Sequence, residues 1–251
     1  MKHFFTVLFL SLFFSLTAQE GELRINMWYG TVDNSDVAEL LENEKYFKDL
    51  WRQQKEAGLL ANWEMWRLVN PNHDHPQTTF VYVKFYTPDN RNTTSTTSII
   101  PEGLDAQAWE IIQQRHLGLY KKIFSSDLSY KGGFNNSTAG SKPANFAIMN
   151  YMNVDWYKNF EYENMELKTF MPINKANGMK AWALTKVLDQ LGTDRKVNYV
   201  TVDFYDSLEE IYTRRSNTAS MSKEVVAANK KIDQIRSLIS SDIFQLVDYL
   251  E

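Results

Sequence analysis

The segment Val81-Tyr82-Val83-Lys84-Phe85-Tyr86 returns 119 residues later as Val200-Thr201-Val202-Asp203-Phe204-Tyr205. At the same offset Trp63-Glu64-Met65-Trp66-Arg67-Leu68 meets Trp182-Ala183-Leu184-Thr185-Lys186-Val187, and at an offset one larger Gly58-Leu59 meets Gly178-Met179. Self-similarity over this length requires two copies of one structural unit, which constrains the architecture before any single motif is weighed. It also supplies an internal comparison. Positions that match are candidates for the shared fold, and positions that differ are freer to carry function.

Each copy repeats one order of elements. A strand over residues 23–29 is matched by one over 145–152, and a helix over 36–57 by one over 162–177, each followed by a glycine suited to a left-handed helix end. Pro172 lies inside the second of these helices, where a kink or break is expected. Two antiparallel strands follow in each copy, 63–69 with 80–87 and 182–188 with 197–206. A second helix closes each unit, over 105–124 and 222–239, and the apolar stretch after it is suited to a fourth strand. The turn-forming run from Lys131-Gly132-Gly133 to Ser141-Lys142-Pro143 reads as the linker. The expected organisation is therefore an export signal at 1–18, a first unit at 19–130, a linker at 131–143 and a second unit at 144–251.

The signal rests on Lys2, the apolar stretch 4–16, and Leu16-Thr17-Ala18 before Gln19. Thirteen apolar residues fall short of the ~20 that span a bilayer as a helix, so an exported chain, periplasmic or secreted, with no membrane partner after cleavage is expected. The chain has no cysteine, which removes disulfides, thiol catalysis and thiolate metal sites. With 27 basic residues against 31 acidic ones and no basic run, nucleic acid is not an expected partner.

Strand, helix, strand, strand, helix is the split βαβ or ferredoxin-like unit, an α+β arrangement whose sheet is covered by its own helices on one face only. Two tandem copies satisfy each other by pairing the open faces of their sheets. In this the chain resembles the dimeric α/β-barrel superfamily, which includes the antibiotic-biosynthesis monooxygenases. The resemblance implies two ferredoxin-like βαββα units closing an α/β barrel within one chain.

Strand alternation then sorts side chains into faces. Val81, Val83 and Phe85 match Val200, Val202 and Phe204, so this face is expected under the helices. The opposite face, expected inside the barrel, carries Tyr82, Lys84 and Tyr86 in one copy and Thr201, Asp203 and Tyr205 in the other. Grouped with it are Glu64 and Trp66 against Ala183 and Thr185, and Asn26 and Trp28 against Ile148 and Asn150. An aromatic-lined pocket for a small molecule is the leading expectation, with Trp28, Glu64, Trp66, Tyr82, Lys84, Tyr86, Asp203 and Tyr205 as ligand-binding candidates. A plain packing interface, with Lys84 and Asp203 as a buried ion pair, is the competing expectation.

His116 falls on the helical stripe of Trp109, Ile112, Leu119 and Ile123, where the second copy has Ile232. A histidine among apolar neighbours suits a general base or a haem ligand. The resemblance to haem-degrading monooxygenases of the same superfamily implies a site made of an asparagine, a tryptophan and a histidine. Asn26, Trp66 and His116 match it in kind, so they are the catalytic candidates and haem the cofactor to test. His73-Asp74-His75 offers imidazole and carboxylate donors, but alternate residues between two prolines read as a polar turn, and no metal site is assigned. Neither a glycine-rich phosphate loop nor a nucleophile elbow is present. Three functions remain open: small-molecule binding, haem- or oxygen-dependent chemistry, and a non-catalytic structural or interaction module.

Overall fold

The computed structural model describes residues 23–69, 76–86, 99–137, 142–189, 196–216 and 222–251. The signal at 1–18 and the His73-Asp74-His75 turn lie outside them. The chain runs β1 (Arg24–Asp33), α1 (Val37–Glu56), β2 (Asn62–Leu68), β3 (Gln77–Tyr86), α2 (Ala106–Gly118) and β4 (Tyr120–Asn135). The second copy follows as β5 (Phe146–Val154), α3 (Asn159–Met165), a π-helical turn (Glu166–Phe170), α4 (Met171–Ala176), β6 (Ala181–Val187) and β7 (Tyr199–Tyr205). It ends with α5 (Leu208–Ser216), α6 (Lys223–Ile232) and β8 (Arg236–Tyr249). Hydrogen bonding orders the strands β1-β3-β2-β8-β5-β7-β6-β4, a closed barrel, and the fold is the α+β one expected from two ferredoxin-like units.

Local chemistry accounts for the element ends. Gly58 and Gly178 take φ of 73° and 74° just past their helices, the left-handed positions anticipated from the repeat. Leu59 N then reaches Gln54 O at 2.8 Å, and Met179 N reaches Asn174 O at 3.1 Å, closing both helix ends alike. Asp105 caps α2 through Ala108 N at 2.8 Å, and Ser222 caps α6 through Val225 N at 3.3 Å. Pro172 does not break its helix. It cannot donate a hydrogen bond and crowds the carbonyl four residues back, and the turn just before α4 widens to π geometry.

Three boundaries differ from the sequence reading. The second helix of each copy ends early, at Gly118 and Ile232, and Ile123-Phe124 and Leu238-Ile239 lie in β4 and β8. A short apolar run satisfies a helical stripe and a strand equally, and here the strand prevails. The expected linker opens inside β4, which continues to Asn135. Helix α5, between β7 and α6, was not anticipated.

The chain divides into two compact units, Leu23–Leu128 with Phe244–Glu251, and Ser129–Ile243. The first therefore takes its final strand from the end of β8, whose Tyr249 and Phe244 lie opposite Glu64 and Leu68 of β2. Within the first unit β3 is central, pairing antiparallel with β1 from Arg24/Tyr86 to Asp33/Gln77 and with β2 from Asn62/Phe85 to Arg67/Phe80. Within the second, β7 pairs with β5 and β6 in the same manner.

Registry reverses the expected assignment of faces. Val37 and Leu40 of α1 pack with Trp63, Met65, Phe80 and Tyr82, so Tyr82 and its alternates Lys84 and Tyr86 face the helices. Trp28 lies opposite Tyr82 and Asn26 opposite Lys84, on this same face. Val81 and Val83, with Met27, Glu64 and Trp66 opposite them, are turned away from the helices. In the second unit Ile148, Trp182, Leu184, Tyr199 and Tyr205 pack with Tyr162, Met165, Ile211 and Ile232, and register puts Asp203 on the same helix-facing side. Both faces of each sheet are rich in apolar side chains, and alternation separates them without saying which one a helix covers. The diverged residues, expected inside the barrel, lie under the helices, while Glu64 and Trp66 belong to the other face.

Leu40 is wholly buried at the α1–sheet contact. Leu40→Ala is expected to lower the unfolding free energy by about 2–5 kcal/mol, measured by urea denaturation.

Candidate functional site

Helix α1 keeps an apolar stripe through Val37, Leu40, Phe47 and Trp51, and Glu44 falls on that stripe. Its carboxyl is consequently carried under the helix rather than into water, leaving Glu44 only 5% exposed. His116 on α2 reaches the same place and is also 5% exposed. Its Nε2 lies 3.2 Å from Glu44 Oε1 and 3.1 Å from the Tyr120 hydroxyl. The Tyr120 hydroxyl in turn shares a 2.6 Å hydrogen bond with that of Tyr82 on β3. Tyr82 also faces Glu44, so glutamate, two tyrosines and histidine form a continuous buried cluster between helices and sheet.

Aromatic rings enclose it. Phe47 stacks on His116 with centroids 4.2 Å apart, and Trp28 packs edge-on against Tyr120 at 4.7 Å and Tyr82 at 5.2 Å. Gly30 makes room for this arrangement, since a Cβ there would collide with the rings of Tyr120 and Trp28. Lys84 stands beside the cluster with Nζ 3.8 Å from the Trp51 ring centroid, a cation–π contact.

Burial sets the protonation states. It raises the Glu44 carboxyl to about 8, and the neighbouring Tyr82 hydroxyl and Lys84 ammonium only partly oppose this. It lowers His116 to about 4 and Lys84 to about 8, the latter shift moderated by Glu44. The Tyr82 and Tyr120 hydroxyls are held well above the ordinary tyrosine value, mainly by desolvation. At neutral pH the cluster thus holds a protonated carboxyl, a neutral imidazole and two phenols. Glu44 forms no well-aligned hydrogen bond among the described residues, and His116 Nδ1 is buried with no partner among them.

The second unit shows what the fold needs at these places. Matching Met27 to Met149 sets Glu44 on Glu166, and matching His116 to Ile232 sets Tyr120 on Arg236. Tyr82 and Lys84 become Thr201 and Asp203. Burial raises the Glu166 carboxyl to about 7, opposed by Arg236 and Tyr162. Asp203 is raised to about 6 for the same reason, opposed first by a 3.1 Å hydrogen bond from Asn150. A buried carboxyl on the first helix is common to both copies, and only the first unit adds an imidazole.

The residues singled out from sequence therefore divide. Trp28, Tyr82, Lys84 and His116 come together under the helices of the first unit. Tyr86 lies farther along the same face, with its hydroxyl raised to about 12 by burial. Asn26 is also on this face but donates to Asp127 Oδ1 at 2.8 Å. Trp66 donates through Nε1 to Glu64 Oε2 at 3.0 Å on the opposite face, where burial raises that carboxyl to about 7. Asp203 and Tyr205 serve the second unit, and Lys84 is neighboured by Trp51 and Glu44 rather than by Asp203. Asn26, Trp66 and His116 do not form one constellation. Haem does not fit the side chains as placed, because His116 Nε2 faces two oxygens within 3.2 Å and its ring is stacked on Phe47. Sequence reading missed Glu44 and Tyr120. The signals were a carboxylate on an apolar helical stripe and a tyrosine four residues after the histidine.

No family model matches the sequence, and no curated protein is significantly similar to it. Solved structures do share its fold. A Fusobacterium nucleatum protein provisionally assigned as a monooxygenase superposes with a TM-score of 0.59 at 11% identity, covering 91% of this chain and 94% of its own. An anthrone oxidase-like protein gives 0.56 at 11% identity over 92% and 94%. A Lactobacillus acidophilus protein, also provisionally assigned as a monooxygenase, gives 0.55 at 12% identity over 92% and 100%. With the strand order above, these likenesses place the chain in the dimeric α/β-barrel, ferredoxin-like fold.

Glu44 makes the cluster's contribution to stability pH-dependent. The native state holds a proton between the ordinary carboxyl value of 4.5 and about 8 that the unfolded chain releases, so stability falls as pH rises through that window. His116, lowered from 6.5 to about 4, acts oppositely below 6.5. Glu44→Gln is thus expected to gain stability relative to wild type as pH rises from 6.5 to 8, measured by urea unfolding at stepped pH.

Proposed function

We propose that this chain is a small-molecule enzyme of the monooxygenase-like kind, with its acid–base centre at the Glu44–Tyr82–Tyr120–His116 cluster. The observation that carries the reading is the buried Nδ1 of His116, which has no hydrogen-bond partner among the described residues. Buried polar atoms without partners are rare in native proteins, and a catalytic role is one of the accepted reasons for them. A neutral imidazole is ready to accept a proton there. The Tyr120 and Tyr82 hydroxyls, 2.6 Å apart, connect His116 with Glu44, whose carboxyl exchanges its proton near pH 8.

The substrate class that suits this centre is a weakly acidic organic molecule activated by loss of a proton. Fold neighbours named as monooxygenases and as an anthrone oxidase-like protein favour oxygen as the second reactant. For an anthrone, the deprotonated methylene carbon gives its electrons to dioxygen. One oxygen atom becomes the new carbonyl, and the other leaves as water with the two methylene hydrogens. His116 Nδ1 takes the first of those protons.

Anthrone with an oxygen electrode is the direct test. Wild type is expected to consume oxygen, and His116→Ile, the second copy's own residue, to lose about a hundredfold or more in kcat while remaining folded. Turnover unaffected by this variant would place the chemistry elsewhere, and absence of turnover in wild type would leave the cluster a packing device.

The reading includes export, supported by Lys2, the apolar stretch 4–16 and Leu16-Thr17-Ala18. Expression in a bacterial host is expected to give a soluble mature chain beginning at Gln19, determined by N-terminal sequencing. A retained Met1 would overturn this part of the reading.

A further inference from the structure

Apart from the buried cluster of the first unit, the second unit exposes three aromatic side chains at the turn between β5 and α3. Trp156 is 77% exposed, Tyr157 65% and Phe160 79%. The first unit shows that the fold does not require them. Its corresponding turn, again entered from an aspartate (Asp33 against Asp155), carries Asn34, Ser35, Asp36 and Ala38 at those positions and at Lys158. Both turns are single 3₁₀ turns between strand and helix, so the backbone is alike while the surface has changed from polar to aromatic.

The turn's polar groups are largely tied down within the chain. Lys158 N donates to Asp155 O at 2.8 Å, and Lys158 Nζ donates to Gln234 O at 2.8 Å while lying 3.4 Å from the Asp155 carboxylate. The Tyr157 hydroxyl donates to the same carboxylate at 3.1 Å, and the Tyr157 ring packs edge-on against Trp156 with centroids 6.0 Å apart. Glu161 is paired with Lys231 at 3.2 Å. The result is a projection whose charged side chains are paired within the chain and whose rings are exposed. It is locally close to neutral, since Asp155, Lys158, Glu161 and Lys231 balance.

We infer that this projection is a peripheral membrane contact that inserts Trp156 and Phe160 at the headgroup boundary of a lipid bilayer. Three aromatic side chains at these exposures offer about 450 Å². That is roughly half of the ~800 Å² each partner contributes to a stable protein interface, which argues against a second copy of this chain as the occupant. Tryptophan and tyrosine, with an apolar body and a polar tip, concentrate where hydrocarbon meets water. A projection whose charged side chains are already paired enters that zone without stranding an ion. The balanced charge points to a zwitterionic surface held by the rings rather than to an anionic one held by lysines. No helix among the described residues is long and apolar enough to cross a membrane.

Phosphatidylcholine vesicles and the full chain test this. Wild type is expected to co-sediment with the vesicles, little affected by high salt, and Trp156→Ser/Phe160→Ser to bind about tenfold more weakly with unchanged Tm. Brominated lipid is expected to quench the emission that Trp156→Phe lacks, a readout on folded protein that does not depend on the double variant. Equal vesicle binding by wild type and double variant would overturn the inference. So would a Trp156 emission untouched by brominated lipid, or sedimentation showing a dimer of the chain that the double variant abolishes without any change in vesicle binding.

Discussion

Each sheet has one face that its own helices must cover, and every polar group caught in that contact has to find a partner or give up its charge. This constraint shapes both units. In the first, α1 packs Val37 and Leu40 onto Trp63, Met65, Phe80 and Tyr82, and the same contact carries Glu44 out of water. A carboxylate so placed is raised to about 8 because desolvation outweighs what Tyr82 and Lys84 return. In the second unit Glu166 meets the same desolvation but has Arg236 near it, and it is raised only to about 7.

That difference sets the two units apart. The second unit meets its buried carboxyl with a guanidinium and fills the histidine position with Ile232, a wholly apolar member of its core. The first unit keeps an imidazole, two phenols and a protonated carboxyl in contact, around a glycine that lets Tyr120 lie against β1. Neutral groups with displaced proton affinities are what acid–base chemistry at ordinary pH uses. A duplicated fold can specialise in this way because one copy maintains the packing while the other changes.

Much of the architecture was legible from the repeat. The tandem units, the order of strands and helices, and the left-handed glycines at 58 and 178 all follow from local pattern and from the match between copies. The ends of the second helices were not, because Ile123-Phe124 and Leu238-Ile239 are as compatible with a helix stripe as with β4 and β8. The site was legible only in part. His116 stood out through its exchange with Ile232, whereas Glu44 looked like one of many helix carboxylates, although it sits one turn from both Leu40 and Phe47.

Alone, the sequence determined that two like units exist, that each alternates strands with helices, and that the first is chemically richer. Those are properties of period and composition, carried by the chain itself. Only the tertiary structure decided which face of each sheet the helices cover. That choice put Tyr82 and Lys84 beside Glu44 and His116, and it sent Trp66 and Glu64 to the opposite face. Alternation labels the two sides of a strand but carries no sign, and the sign is set by which helix surface packs against which side.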